Sequence, residues 1–241
     1  MYWRYSLFEL PLLVSGIFVL ALAGIIWQRR SATGAAVFAL MLLALALWSL
    51  GNMLEIGCTR LPAKLFWANV QYLGIVSVPV LWFVFGVQYS SSGYRPTRRQ
   101  LALLAIIPMV TLLLVWTDPW HGLMRRDVRL DTGGPFAIIA KTFGPWFWVH
   151  TAYSYLALLA GSSALILSLL RSPRIFRGQV ISLLVGALLP WVGNAVYLLG
   201  YRVAPRLAQN KTEAGAGLLR SPEGRLSLRS AAALRFSPRR V

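Results

Sequence analysis

Residues 64–89 form one long apolar stretch that carries three polar side chains close together. The stretch, KLFWANVQYLGIVSVPVLWFVFGVQY, has the length and hydrophobicity of a membrane-spanning helix. Asn69, Gln71 and Tyr72 lie within four residues of one another. Because lipid offers no hydrogen bonds, such side chains must face a bundle interior, a partner or a cavity. The stretch is therefore predicted to be a central helix with neighbours.

The composition of the whole chain indicates the same environment. Of the 241 residues, 57% are hydrophobic and 13% are charged, which is more apolar surface than a soluble domain of this length can bury. The 24 Lys and Arg against 7 Asp and Glu give a net charge of +17. These basic residues lie in loops between apolar runs, so nucleic-acid binding is the weaker interpretation. A lone cysteine, Cys58, excludes an intrachain disulfide and a multi-cysteine metal site.

Six apolar runs are candidates to cross the bilayer, each close to the ~20 residues that a spanning helix needs. They are Leu7–Trp27, Ala35–Leu54, the stretch from near Ala63 to Tyr89, Leu101–Thr117, Trp146–Leu170 and Val180–Tyr201. The sequence thus predicts an all-α fold, in which residues 1–201 form a polytopic membrane bundle of six transmembrane helices. Residues 202–241 are basic and offer little to pack, so we expect a disordered tail.

The basic residues also predict an orientation. Arg29 and Arg30 follow the first run instead of preceding it, which favours a retained span over a signal peptide. The loops after the first, third and fifth spans carry eight arginines, whereas the short opposite segments carry three basic residues. The longer segment 118–145 adds four more, offset by three aspartates. Because the positive-inside bias is strongest in short loops, the N-terminus is predicted to lie outside the cell.

With that topology, the polar side chains of five spans fall near the outer leaflet. An amide in a bundle is, taken singly, more often a contact between helices than a ligand group. A cavity open to the outside would, however, place many such groups at one depth, and the inner halves offer mainly serines. We therefore expect an outward-facing pocket for a small ligand. Its candidate residues are Glu55, Asn69, Gln71, Tyr72, His150, Tyr153 and Asn194.

One face of the central stretch suggests how such a pocket would act. Pro79 removes a backbone hydrogen bond and is expected to kink the helix. Asn69 and Tyr72 share a face with Pro79 at the three-or-four residue spacing of a helix. A ligand held at Asn69 and Tyr72 would then shift the helix about the kink toward the cytoplasm.

An ordered set of short motifs gives the chain a resemblance to a known family. The motifs are Trp48-Ser49-Leu50-Gly51 with Glu55, Lys64-Leu65-Phe66-Trp67 with Gln71-Tyr72-Leu73-Gly74, Pro79 with Trp82 and Tyr89, Thr117-Asp118-Pro119 with His121-Gly122-Leu123, Phe143-Gly144-Pro145 with Trp148, His150, Tyr153 and Tyr155, Arg171-Ser172-Pro173, and Pro190 with Gly193, Asn194 and Tyr197. From roughly Leu12 to Gly200, the chain resembles the seven-helix N-terminal sensor region found ahead of bacterial histidine kinases and some diguanylate cyclases. The resemblance implies an input module in the bacterial cytoplasmic membrane that biases a cytoplasmic kinase or cyclase.

The sequence departs from that family in lacking a recognisable seventh span and output domain. A phosphoacceptor His is usually followed by Glu or Asp, but here the histidines are followed by Gly122 and Thr151. A glycine-rich phosphate loop, a catalytic triad and a metal site are not recognisable either. Asp118 and His121 fit a turn after the fourth span better than a metal site. We therefore expect no catalytic activity and no cofactor.

Two other functions stay open at this point. Kinked spans with buried amides also suit a small transporter or channel, although that class would show an internal repeat and polar residues in the inner half. A membrane enzyme using Glu55, His121 or His150 as an acid or base is least favoured, because no nucleophile–base pair is evident. The leading interpretation is a sensory module that sits in a lipid bilayer and binds an unknown small extracytoplasmic ligand.

Overall fold

The computed structural model describes residues 9–90, 96–133 and 137–171, and the separate positions 178, 181–182, 184–186, 188–189 and 192–196. Two compact units are distinguished, residues 1–180 and residues 181–241. The described part of the first unit is mostly helical and contains one two-stranded sheet. Its elements are α1 (Glu9–Gln28), α2 (Ala35–Gly57), α3 (Leu61–Ser90), α4 (Arg98–Trp116), α5 (Asp118–His121), β1 (Arg125–Asp131), β2 (Ile138–Phe143) and α6 (Pro145–Arg171).

Five of these helices, α1 to α4 and α6, are long and apolar enough to cross a membrane. The first five predicted runs coincide with them apart from a few residues at their ends, and the chain is a multi-pass membrane protein. The sixth predicted span, Val180–Tyr201, is described only in part, and the positions described within it are helical. The predicted tail, 202–241, lies wholly outside them. The count of six spans and the outside N-terminus therefore stay predictions.

The central position predicted for residues 64–89 agrees with the packing of α3. This helix contacts α2, α4, α6 and β2. Within its most apolar window 50% of the residues are buried, against 11% in α1. α3 thus forms the axis of the first unit, and α1 lies at its edge against α2.

Glycines let α3 approach its neighbours closely. A Cβ at Gly74 would lie 2.3 Å from the carbonyl oxygen of Ala44 on α2, and a Cβ at Gly86 would lie 2.4 Å from that of Gly161 on α6. Membrane helices pack through small residues in this way because the lipid tails supply no hydrophobic driving force between helices. Trp82, which is buried, donates from Nε1 to Oγ of Ser162 at 3.1 Å and adds a polar link between α3 and α6.

The contacts near the start of α3 fix the directions of its neighbours. Gln71 packs against Gly51, which lies near the C-terminal end of α2. Tyr72 faces His150, which lies near the N-terminal end of α6, with ring centroids 6.4 Å apart. α2 is therefore antiparallel to α3, whereas α6 is parallel to it. The end of α2 and the starts of α3 and α6 meet at one end of the bundle, where α5, β1 and β2 also lie; we call it the hairpin end.

The β-hairpin itself is an element that the sequence did not reveal. β1 and β2 pair antiparallel, with a register shift between Arg126 and Arg129. Asp127, inside that shift, has a φ of 51° in the left-handed region, as at a β-bulge. In the β1 sequence, RRDVRLD, apolar and polar residues alternate only over positions 127–131 and include two apolar residues, which is a weak signal for a strand. The segment was therefore expected to be only a long polar loop.

Candidate functional site

Two of the predicted site residues join α2 to α3 at the hairpin end. Nε2 of Gln71 donates a hydrogen bond of 2.6 Å to Oε2 of Glu55. Gln71 is buried and Glu55 is partly buried. A carboxylate bonded to a buried amide satisfies both groups where lipid and protein exclude water. The structure therefore brings these two predicted residues together.

A buried arginine joins α3 to the hairpin. Arg125, the first residue of β1, is only 5% exposed, and its Nε donates to Oδ2 of Asp118 at 3.2 Å. Its Nη2 donates to Oδ1 of Asn69 and, at 3.4 Å, to the carbonyl oxygen of Val115. Asp118 also accepts a hydrogen bond of 2.9 Å from the backbone N–H of Met124. Because a buried ion pair is tolerated only with further hydrogen bonds, these contacts hold the base of the hairpin against the start of α3.

Two buried side-chain nitrogens in the described part of the chain have no hydrogen-bond partner. They are Nη1 of Arg125 and Nδ1 of His150. The His150 side chain is 4% exposed, and its other nitrogen, Nε2, lies 3.4 Å from Oγ of Ser154. Since buried polar atoms are nearly always paired and cost free energy when they are not, both atoms mark positions where an added polar group would be stabilised.

Tyr72 belongs to the same end of α3 as these two side chains. It follows Asn69 by three residues, so both side chains are on the same face of α3. Asn69 accepts the bond from Arg125, and the charge of Arg125 acts on the Tyr72 hydroxyl. The ring of Tyr72 faces that of His150, with the ring centroids 6.4 Å apart. Tyr72 is therefore near both residues that carry an unpaired nitrogen.

Lys141 brings β2 into the same cluster. Its side chain is half-buried, with Nζ 5.9 Å from the centre of the Phe143 ring. Burial lowers the pKa of Lys141 below its ordinary value. The negative charge of Glu55 opposes this shift, and the positive charge of Arg125 adds to it. The hairpin therefore contributes a second cation beside the arginine.

Lys64 has a structural part at this end. It is 1% exposed, and its Nζ donates to the carbonyl oxygens of Glu55 at 2.7 Å and of Ile56 at 3.3 Å. The last carbonyls of a helix have no partner within the helix, and a lysine there satisfies them and complements the helix dipole. Lys64 thus ends α2 and fixes the backbone that carries Glu55.

Tyr153 is placed elsewhere in the first unit, and Asn194 belongs to the second unit. The Tyr153 hydroxyl donates to the carbonyl oxygen of Leu104 at 2.7 Å and so links α6 to α4. Asn194 lies on the helical stretch 192–196 of the second unit. A ligand-binding part for either residue stays a prediction. Of the seven candidates, five lie at the hairpin end of the first unit: Glu55, Asn69, Gln71, Tyr72 and His150.

The turn predicted after the fourth span is the short helix α5. It ends at Gly122, whose φ of 59° is left-handed. Nδ1 of His121 accepts from the backbone N–H of Leu123 at 3.0 Å, and its Nε2 lies 2.9 Å from Oγ1 of Thr117. The turn prediction is confirmed, but the sequence analysis missed the bond from Asp118 to Arg125. The available signal was an acidic residue directly after a span, followed seven residues later by an arginine.

A cleft of about 290 Å³ lies at the opposite end, between α3 and α4. Apolar side chains dominate its lining, among them Phe83, Val87 and Leu103. None of the seven predicted site residues lines it. The polar cluster and this apolar cleft are therefore separate features at opposite ends of α3.

A comparison with protein-family models matches residues 11–210 to the N-terminal 7TM region of histidine kinase. The matched range includes every residue of the cluster at the hairpin end. No curated protein and no solved structure matches the chain.

Proposed function

We propose that this chain, which belongs to the family of N-terminal 7TM regions of histidine kinases, detects a small extracytoplasmic ligand at its hairpin end. Family membership and five apolar helices make the chain a membrane sensory input module. The proposal adds where the ligand binds and on which side of the membrane. Glu55, Asn69, Gln71, Tyr72 and His150 would bind it, with Arg125 and Lys141 of the hairpin.

The observation that carries the proposal is that two unpaired buried nitrogens lie next to Tyr72 inside the polar cluster. Polar groups that only join helices find their partners within the protein, as Trp82 does with Ser162. Nη1 of Arg125 and Nδ1 of His150 have none among the described residues. A ligand site is expected to contain polar atoms that stay unpaired until the ligand binds, which lowers the stability of the ligand-free protein.

α3 offers a route from this cluster to the opposite end of the bundle. It bonds the hairpin at Asn69 and meets α6 at Tyr72, at Trp82 and again at Gly86. If the ligand binds more tightly when the hairpin is in one of two arrangements, it favours that arrangement, and α3 shifts with the hairpin relative to α6. The resemblance to sensor regions suggests a cytoplasmic kinase or cyclase as the receiver of that shift.

A transporter or channel remains the alternative, and the packing of α3 against α6 supports the sensor instead. Below the cluster, Trp82 is buried and bonded to Ser162. Gly86 and Gly161 bring the two backbones into direct contact. A permeation path between these helices would have to separate both contacts.

Cysteine labelling in intact cells tests the proposal. In a Cys58→Ser background, we expect Asn69→Cys and Tyr72→Cys to react with a membrane-impermeant maleimide added outside. The control is Leu73→Cys, because Leu73 is 43% exposed on the lipid-facing side of the same helix turn and should not react. Labelling of positions 69 and 72 only after the membrane is opened would place the hairpin end inside. No labelling under either condition would show that water does not reach the cluster.

A further inference from the structure

We infer that the ligand of the hairpin end is a small carboxylate, and that one of its oxygens accepts hydrogen bonds from Nη1 of Arg125. This inference rests on the proposed function, since it names the chemical class of ligand for the same site. Three features support it: the unused N–H groups of Arg125, the groups near them and the local balance of charge.

The donors of Arg125 are only partly used. A guanidinium carries five N–H groups and no acceptor. The one on Nε goes to Asp118, and those on Nη2 go to Asn69 and Val115. Both N–H groups of Nη1 are left without a partner among the described residues, on a side chain that is 5% exposed. These N–H groups can donate to an oxygen, and an ionised oxygen gives the stronger, charge-assisted bond.

The neighbours of this nitrogen favour a compact ligand with a second polar group. The charge of Arg125 acts on Tyr72, which offers an aromatic ring and a hydroxyl. The ring of Tyr72 faces His150, whose Nδ1 is also unpaired and donates or accepts according to its tautomer. A small carboxylic acid with a hydroxyl or amino group carries an oxygen for Nη1 and a second polar group for Nδ1.

The charges at the site favour one negative charge over two. Asp118 already faces Arg125, and Glu55 lies within range of Lys141. Lys64 and Glu9 also act on each other at this end, so three cations and three carboxylates balance. A phosphate dianion would add two charges next to Asp118 and Glu55, and its desolvation would cost more than that of a carboxylate.

Ligand entry requires a movement of the hairpin. Nη1 of Arg125 is fully covered, so β1 must move away from α3 before an oxygen reaches it. The same movement stretches the bond between Arg125 and Asn69. Binding at this atom is therefore linked to the contact between the hairpin and α3, which is where the proposed signal begins.

The test uses the full chain in lipid nanodiscs, with sodium acetate as the probe and acetamide as its neutral analogue. Tryptophan fluorescence is followed at constant ionic strength set with sodium chloride. We expect a saturable change with acetate and none with acetamide. Arg125→Lys keeps the charge but lacks Nη1, and should bind acetate about ten- to hundredfold more weakly. Arg129→Gln, an exposed residue of the same strand, is the matched control and should bind like the wild type.

A second measurement detects binding in the wild-type chain itself, and the variant serves only to assign one resonance. In the ¹⁵N-arginine-labelled wild-type chain, acetate should shift the side-chain resonance of one arginine far more than the others, and that resonance should be absent in Arg125→Lys. An equal response to acetamide would overturn the carboxylate class while leaving a site at the hairpin end in place. An equal response in Arg125→Lys, or no saturable response and no shifted resonance, would overturn the assignment to Arg125. The proposed function is decided separately by cysteine labelling, so the two failures are distinguishable.

Discussion

Oδ2 of Asp118 accepts a hydrogen bond from Nε of Arg125 at 3.2 Å, and both side chains are buried. The pair ties the first residue of α5 to the first residue of β1. Because Arg125 also bonds Asn69, the hairpin is anchored to the central helix by the same guanidinium. The segment between α4 and α6 is therefore part of the site and more than a connection between two spans.

Removing the carboxylate of Asp118 is expected to destabilise the first unit. Asp118→Asn leaves the buried charge of Arg125 without its counter-charge, and breaking a buried pair in this way costs about 3–5 kcal/mol. The measurement is the free energy of unfolding in detergent micelles. Asp131→Asn, at the exposed end of β1, should change the free energy of unfolding by less than about 0.5 kcal/mol. Equal losses in the two variants would contradict the importance given to the pair.

Lys64→Met should loosen the end of α2. The substitution leaves an unbranched apolar side chain, shorter by the terminal nitrogen, and removes the two hydrogen bonds to the carbonyls of Glu55 and Ile56. Leaving buried carbonyls unpaired costs about 1–3 kcal/mol. Arg60→Met, at an exposed position in the same segment, serves as the control in the same unfolding assay. If both variants unfold like the wild type, the capping by Lys64 is not a stabilising contact.

Glycine substitutions test the close packing of α3. Gly74→Ala and Gly86→Ala would place a methyl group 2.3 Å and 2.4 Å from backbone oxygens of neighbouring helices, so the helices must separate, at about 1–3 kcal/mol each. Gly24→Ala in α1 meets nothing within 4 Å and should be neutral, or stabilising by up to ~1 kcal/mol. The three variants are compared by thermal unfolding. A Gly24→Ala variant as unstable as the other two would show that the losses do not come from packing.

The thiol of Cys58, between α2 and α3, should be unreactive in the folded chain. Burial raises the pKa of this thiol above its ordinary value of 9.0, and the charge of Lys64 opposes that shift only in part. Folding thus favours the neutral thiol. The contribution of this thiol to the free energy of unfolding is full below its unfolded pKa and is lost as the pH rises through its folded pKa. Alkylation by iodoacetamide at pH 8 should be slow until SDS unfolds the chain. Rapid alkylation of the folded chain would contradict this placement of Cys58.

The spans and part of the site were predictable because their signals are local. Hydrophobic runs in the sequence predicted five helices. The lengths of the second and third runs also placed Glu55 and Gln71 at the same end of the bundle, where the structure pairs them. The partner of Asn69 was not predictable, because Arg125 lies outside the short alternation of apolar and polar residues at 127–131 and no local pattern indicates that it is buried against α3. Lys64 was counted among loop charges, yet it is buried. Its long chain reaches back to carbonyls that only the folded turn between α2 and α3 brings within range.

The account depends most on water entering the hairpin end of α3 from outside and stopping above the contacts with α6. Spin labels at positions 69, 72 and 78 in a Cys58→Ser background, with the exposed position 73 as the control, measure this through collisions with a water-soluble nickel complex. Val78 is buried further along α3, so we predict high accessibility at 69 and 72 and low accessibility at 78 and 73. High accessibility continuing through position 78 would indicate a permeation path, and low accessibility at every position would contradict a ligand site at the hairpin end.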